Sequence, residues 1–344
     1  MTRMKYYSCA IACWALLAVV GRATPAKIEG LEQTQEIDDV DDRDPRLPRT
    51  CELSTDINGT SFQNPGYPSA TSIPTGACRH KVYPVNDNIC QIRLDLKDFI
   101  LAQPNAEGVC AADFMQISGA MTKIPQICGV NSGQHLYLDV TPDFGSVTIN
   151  VDTSAPGAKW SISVAQIECN SQYRAPAGCL QYFTNTYGTI KSFNYDATNF
   201  SPYTPPTATT QLANQAYGVC IKPQSGFCSV AYTKTSVVAN DYTFSMTGDA
   251  SIFPPGDPLP GYAGSADCTT DYVMIPGGTL MDTNYAVISA DRYCGTNFPS
   301  KVESSIQPFA LYVVTDDTET NYADTALLDG PNVGFSIDYR MQSC

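Results

Sequence analysis

Cys110-Ala111-Ala112-Asp113-Phe114 is echoed in the second half of the chain by Cys268-Thr269-Thr270-Asp271-Tyr272, and in each case the next cysteine is followed by glycine, as Cys128-Gly129 and Cys294-Gly295. The agreement extends outward in both directions. Upstream, Gly59-Thr60 follows Cys51 and Gly188-Thr189 follows Cys179, each leading towards a turn that contains Tyr67 or Tyr195. Downstream, Trp160 and Phe335 each open an alternating apolar segment that closes on a cysteine, Cys169 or Cys344. The cysteines outside the first 23 residues thus fall into two sets of six: Cys51, Cys78, Cys90, Cys110, Cys128 and Cys169, then Cys179, Cys220, Cys228, Cys268, Cys294 and Cys344. Matching residue types at so many matching places read as a tandem duplication, with units 51–169 and 179–344 joined by a linker at 170–178.

Within each unit the apolar period is two. Ile92, Leu94 and Leu96 alternate with polar residues, as do Val147, Ile149 and Val151, then Trp160, Ile162 and Val164; Leu136, Tyr137 and Leu138 do so less cleanly. Phe309, Leu311 and Val313, then Phe335, Ile337 and Tyr339, repeat the pattern in the second unit. That is the spacing of strands with one buried face. Turn signals such as Asn64-Pro65-Gly66, Asn131-Ser132-Gly133 and Gly277-Gly278 separate the strands, and outside the N-terminal segment no window reads as a long amphipathic helix. The expected fold class is all-β: two antiparallel β-sandwiches stapled by disulfides.

Residues 1–23 read as a secretory signal, with Arg3 and Lys5 before an apolar run from Tyr7 to Val20 and small residues at Gly21 and Ala23 for cleavage. A secreted, extracellular protein is expected, with no membrane anchor, because the apolar run is short for a bilayer span and no hydrophobic tail precedes Cys344. Cleavage removes Cys9, Cys13, Arg3, Lys5 and Arg22, leaving an even twelve cysteines and moving the formal charge from -14 to -17. So acidic a surface repels nucleic acid and anionic lipid and favours basic partners or cations. Residues 24–50, with Asp38, Asp39, Asp41 and Asp42 and no aromatic residue, form an acidic disordered leader, either a plain linker or one processed after Arg49.

Asn64-Pro65-Gly66-Tyr67-Pro68, Cys110-x-x-Asp113-Phe114, Cys128-Gly129 and the aromatic-led closing strand from Trp160 resemble the CUB domain, an extracellular β-sandwich jelly roll. The second unit resembles it through Gly188-Thr189, Tyr195, Cys268 to Tyr272, Tyr293-Cys294-Gly295, Val314-Thr315-Asp316 and Gly334-Phe335. The chain looks most like the secreted tandem-CUB proteins of arthropods. The resemblance implies the bridges Cys51-Cys78, Cys110-Cys128, Cys179-Cys220 and Cys268-Cys294. It leaves Cys90-Cys169 and Cys228-Cys344 to staple early and late strands, although six cysteines per unit admit many other pairings.

Some members of that family hold Ca²⁺ at one loop end through three acids. By position Asp113 and Asp152 match two of them in the first unit, and Asp271 and Asp316 in the second. The early Glu is missing, its place falling near Gln103, so a weak or absent calcium site is expected and no other cofactor. Each Asp otherwise serves to hydrogen-bond its own loop.

The resemblance implies binding rather than chemistry, and the residues agree with that. Two histidines, His80 and His135, read as ordinary surface residues; there is no Gly-x-Ser-x-Gly and no His-Glu-x-x-His. A carboxylate pair is a question of space rather than of sequence spacing, so the acids alone name no hydrolase site. The chain is therefore read as no enzyme: a binding or adaptor protein for an extracellular protein or glycan. The alternatives are a self-associating matrix component and a non-catalytic regulator of an extracellular protease. Asn58 and Asn199 stand in glycosylation acceptors, and two aromatic, proline-rich insertions carrying Tyr203, Phe253 and Tyr262 are candidate ligand loops.

Overall fold

A computed structural model describes residues 51–141, 145–195, 210–235, 243–246, 261–281, 286–295, 297–317, 319 and 332–344. The signal, the leader, Asn199, Tyr203 and Phe253 lie outside the described residues, and Tyr262 is placed by its backbone alone. Residues Arg49–Cys344 form one compact unit, and the described part of it is all strand and turn with no helix.

The first eight strands are β1 (Glu52–Thr55), β2 (Thr60–Gln63), β3 (Gly76–Val82), β4 (Ile89–Ile100), β5 (Phe114–Ser118), β6 (His135–Asp139), β7 (Val147–Thr153) and β8 (Lys159–Glu168). They make two four-stranded sheets, in the orders β1-β3-β7-β5 and β2-β8-β4-β6. The remaining strands are β9 (Cys179–Phe183), β10 (Tyr187–Lys191), β11 (Ala216–Ile221), β12 (Phe227–Lys234), β13 (Phe244–Ser245), β14 (Gly261–Ala263), β15 (Tyr272–Met274), β16 (Thr279–Met281), β17 (Val287–Ser289), β18 (Arg292–Gly295), β19 (Val302–Ser304), β20 (Phe309–Val314) and β21 (Gly334–Ser343). These pair as β9-β11-β20-β15-β18-β14 and β10-β21-β12-β19-β16-β17, with β13 added on β21.

The two halves repeat one topology. A parallel pair opens each, β1 on β3 and β9 on β11, and the antiparallel pairs β3-β7-β5 recur as β11-β20-β15. Likewise β2-β8-β4 recurs as β10-β21-β12. The period-two pattern explains the cores. In β7, Val147, Ile149, Val151 and Thr153 are buried while the residues between them are half-exposed, as a strand with one covered face requires. Phe62 and Trp160 lie 5.9 Å apart between the first pair of sheets, and Phe309, Leu311, Val313, Phe335 and Ile337 fill the second.

The bridges join Cys51 to Cys78, Cys90 to Cys169, Cys110 to Cys128, Cys179 to Cys220, Cys228 to Cys344 and Cys268 to Cys294. Cys51-Cys78 and Cys179-Cys220 take the same place in the two halves, tying each opening strand to its parallel neighbour.

Both histidines depart from the surface reading. His80 is 2% exposed, facing inward from β3 between Cys78 and Val82 and stacked on Phe62 at 5.3 Å. The imidazole fills an aromatic slot in the core, and neither ring nitrogen has a hydrogen-bond partner among the described residues. His135 stands where the two sandwiches meet.

Candidate functional site

Each Cys-x-x-Asp aspartate is drawn in to close a loop. Asp113, just ahead of β5, is 3% exposed; its Oδ1 accepts the Ser154 N–H at 2.8 Å and the Ser154 hydroxyl at 3.0 Å, and its Oδ2 accepts the Ala102 N–H at 3.1 Å. Asp271, just ahead of β15, is 2% exposed and its Oδ1 accepts the Asp316 N–H at 2.8 Å. The register shows which residues correspond. Phe114 pairs with Asp152 in β7, whereas Tyr272 pairs with Val314 in β20. Asp152 therefore matches Val314, and the residue that matches Asp316 is Ser154, two places further along. Asp152 sits on the face of β7 opposite Val151 and Thr153.

This donor set is a poor fit to calcium, which takes about six to eight oxygens with several carboxylates among them. Among the described residues no three acids, histidines or cysteines come together. Asp113 already accepts three loop donors, Ser154 stands where a second carboxylate would be, and Gln103 Oε1 accepts the Asn194 Nδ2–H at 2.9 Å.

That last bond belongs to the joint between the sandwiches. Asn194, fully buried with φ at 63°, enters the loop after Cys128. Its N–H donates to Asn131 Oδ1 at 2.7 Å, its Oδ1 accepts the Val130 N–H at 2.8 Å, and its Nδ2 also donates to the Thr210 carbonyl at 2.8 Å. Gly129, at φ 74°, leaves the room: a Cβ there would collide with the Asn194 carboxamide. Around this plug the Ala213 N–H donates to the Gly108 carbonyl at 2.9 Å, and Gln134 Nε2 donates to the Ser192 carbonyl at 3.1 Å. The loop end of the first sandwich is covered by the second.

Beside it, edge strands β6 and β9 lie alongside each other without a ladder. The Tyr182 N–H donates to His135 Nε2 at 3.0 Å and Gln181 Nε2 to Gln134 Oε1 at 2.8 Å, so side chains satisfy the edges and block further pairing. Tyr137 meets Tyr182 edge-on at 5.9 Å, and His135 meets Phe183 at 5.1 Å. Tyr137, Ile167, Ala175, Cys179, Tyr182, Cys220 and Ala310 make a small apolar core of their own under the joint. Ala175 is 2% exposed, and its N–H donates to Gln91 Oε1 at 2.8 Å, so the segment between the units is docked rather than loose. Burial, with the Arg93 charge second, pushes His135 down to about 4, which keeps its ring neutral and able to accept the Tyr182 N–H.

Asn58 is exposed, and its carboxamide pairs with the Gln166 backbone, Oδ1 accepting at 2.7 Å and Nδ2 donating at 3.3 Å. The sequence carried no signal for the joint residues Gln91, Gln134 and Asn194, since an uncharged polar residue in a loop or strand has no pattern that marks it as interface. The one hint was the glycine after Cys128.

The geometry defines a class, a pair of disulfide-stapled β-sandwiches locked into one body and presenting loops and sheet faces. Residues 176–342 match the family model of the animal CUB domain. The CUB domain is in general an extracellular protein-interaction module. No curated protein matches the sequence. Among solved structures the chain is similar to the CUB1-EGF-CUB2 domains of rat MASP-1, at 14% identity over 84% of this chain and 99% of that one, with a TM-score of 0.27. The corresponding domains of human MASP-1/3 align at 14% identity over 83% of this chain and 100% of that one, TM-score 0.27. The full extracellular region of zebrafish Gpr126/Adgrg6 aligns at 11% identity over 84% of this chain and 36% of that one, TM-score 0.29. Among the described residues no helix is long and apolar enough to cross a membrane.

Proposed function

We propose that the protein is a secreted, non-catalytic binding or adaptor protein that recognises an extracellular protein, or a glycan, without a resident calcium ion. The observation that carries the reading is the joint. A partner surface built across two sandwiches held by buried hydrogen bonds is preorganised, and association then loses less conformational freedom. The family match over 176–342 supports the module class. His80 is buried in a core and the His135 Nε2 is taken by the Tyr182 N–H in the joint, so neither imidazole is placed as an ordinary general base. The ligand loops in this reading are the insertions that carry Tyr203, Phe253 and Tyr262.

Affinity capture from extracellular fluid on the immobilised mature chain, with calcium and again with chelator, tests it. A specific partner retained under both conditions, and lost when the insertion that carries Tyr203 is shortened within 196–209, is the expected result. Recovery of the chain alone would favour the matrix reading, and a stoichiometric complex with an active protease the regulatory one. A partner lost with chelator would show that a cation organises the surface after all.

A further inference from the structure

The apolar seam under the joint does not end where the sandwiches stop touching. The outward face of the β11-β20-β15 sheet is sealed at Cys220 and Ala310 by Tyr137 and Ala175. Further along, the same face, at Ala216, Met274, Tyr312 and Val314, floors an open cleft of about 790 Å³ whose opposite wall includes Met121 of the first sandwich. Small-molecule sites occupy roughly 300 to 1,000 Å³ and are mostly apolar with a few placed polar groups. Met121 and Tyr312 are 58% and 38% exposed, so large apolar side chains face water here.

The polar groups at this cleft are unevenly charged. Lys123 and Arg174 both line it. Among the described residues neither is ion-paired; Arg174 donates one N–H to the Cys169 carbonyl at 3.2 Å, which leaves the rest of its guanidinium fork unused. The carboxylate that lines the cleft among the described residues, Asp139, is engaged by neutral donors. Gln91 Nε2 donates to its Oδ1 at 2.9 Å, and the Thr122 hydroxyl and the Gly178 N–H donate to its Oδ2 at 3.3 Å each. Asp139 therefore braces both walls instead of neutralising the cations. Two cations without an ion pair among the described residues, beside apolar surface, stand out in a chain of formal charge -14.

We propose that this cleft binds a single long-chain carboxylate, its alkyl tail along Tyr312, Val314, Met274 and Met121 and its head at Arg174 and Lys123. The guanidinium fork suits a carboxylate bidentately, and the tail gains what the exposed side chains lack. The proposal is independent of the protein-partner reading, since no residue that lines the cleft belongs to the insertions named there.

Calorimetric titration of the full mature chain with monomeric oleate tests it, alongside a cationic amphiphile of equal chain length and phosphatidylserine vesicles. Saturable one-to-one oleate binding is expected, weaker by roughly tenfold or more in the Arg174→Gln, Lys123→Gln double variant. Ala216→Trp, which fills the floor from an exposed strand position, should weaken it without touching the cations, and unchanged melting temperatures would show both variants folded. The proposal is overturned by absent or non-saturable binding, by equal affinity for the cationic amphiphile, by indifference to both variants, or by binding to vesicles alone.

Discussion

At the scale of single residues, the same side-chain type is put to opposite uses according to what surrounds it. Asp113 is buried, and three loop donors converge on its carboxyl oxygens. Asp113→Ala strands the Ala102 and Ser154 N–H groups, and urea unfolding should show a loss of roughly 2–4 kcal/mol, with a smaller loss for Asp113→Asn. An Asp113→Ala variant as stable as the parent would mean water replaces the carboxylate without cost. The histidines act through protons. An unfolded histidine takes its proton near pH 6.5, whereas folded His135 does so only near pH 4, and burial pushes His80 down as well. Between those values the unfolded chain binds more protons, so stability is full above about pH 6.5 and declines as pH falls towards 4. His135 should account for about 2–3 kcal/mol of that decline. Comparing urea midpoints at pH 7.5 and 4.5, a His80→Phe, His135→Gln variant should lose distinctly less than the parent, and equal losses would assign the acid sensitivity to the carboxylates.

At the scale of elements, the pattern of burial records which strands have two covered faces. The strands β7 and β3 alternate, as their sequences do. Residues Leu136, Tyr137 and Leu138 of β6 are all buried, and so are Cys179 to Tyr182 of β9, because the two edges lie against each other and each sheet covers the other's outer side. The imperfect alternation at 136–138 was the trace of this in the sequence, but an isolated pattern break has no direction and names no partner. The joint should be separable from the sandwiches it connects. Gly129→Ala places a methyl against the Asn194 carboxamide on a backbone at positive φ, and Asn194→Ala removes the plug itself. Both variants should keep their disulfides and cores while limited proteolysis within 170–178 becomes faster by an order of magnitude or more, in line with a loss of roughly 2 kcal/mol of local stability. Unchanged cleavage would show that the apolar contacts around Tyr182 hold the joint alone.

At the scale of the whole molecule, covalent bonds close long loops and polar contacts unite the halves. Cys228-Cys344 spans 116 residues and fastens β12 to the end of β21. By loop-closure entropy its replacement by serines should cost about 5 kcal/mol, more than the roughly 3 kcal/mol for Cys110-Cys128 with its separation of 18 residues. Thermal unfolding of the two double-serine variants checks the order, and the reverse order would mean that local packing rather than chain entropy sets the contribution.

The sequence by itself determined the all-β class, the duplication and the inward faces of the strands, because strand period, turn chemistry and cysteine spacing act over a few residues and leave a local record. Through the resemblance it also reached four of the six cysteine pairs that the structure brings together, with Cys90-Cys169 and Cys228-Cys344 left over. It could not place His80 in a core, since one histidine on an alternating strand reads alike whichever face is covered. It paired Asp316 with Asp152 where the strand register pairs it with Ser154, a shift of two that only hydrogen-bonded partners reveal. The joint and the cleft beside it belong wholly to the tertiary structure. They arise where residues distant in sequence, such as Gln103 and Asn194 or Lys123 and Tyr312, share one surface, and contact between two folded units leaves no period in the chain that makes it.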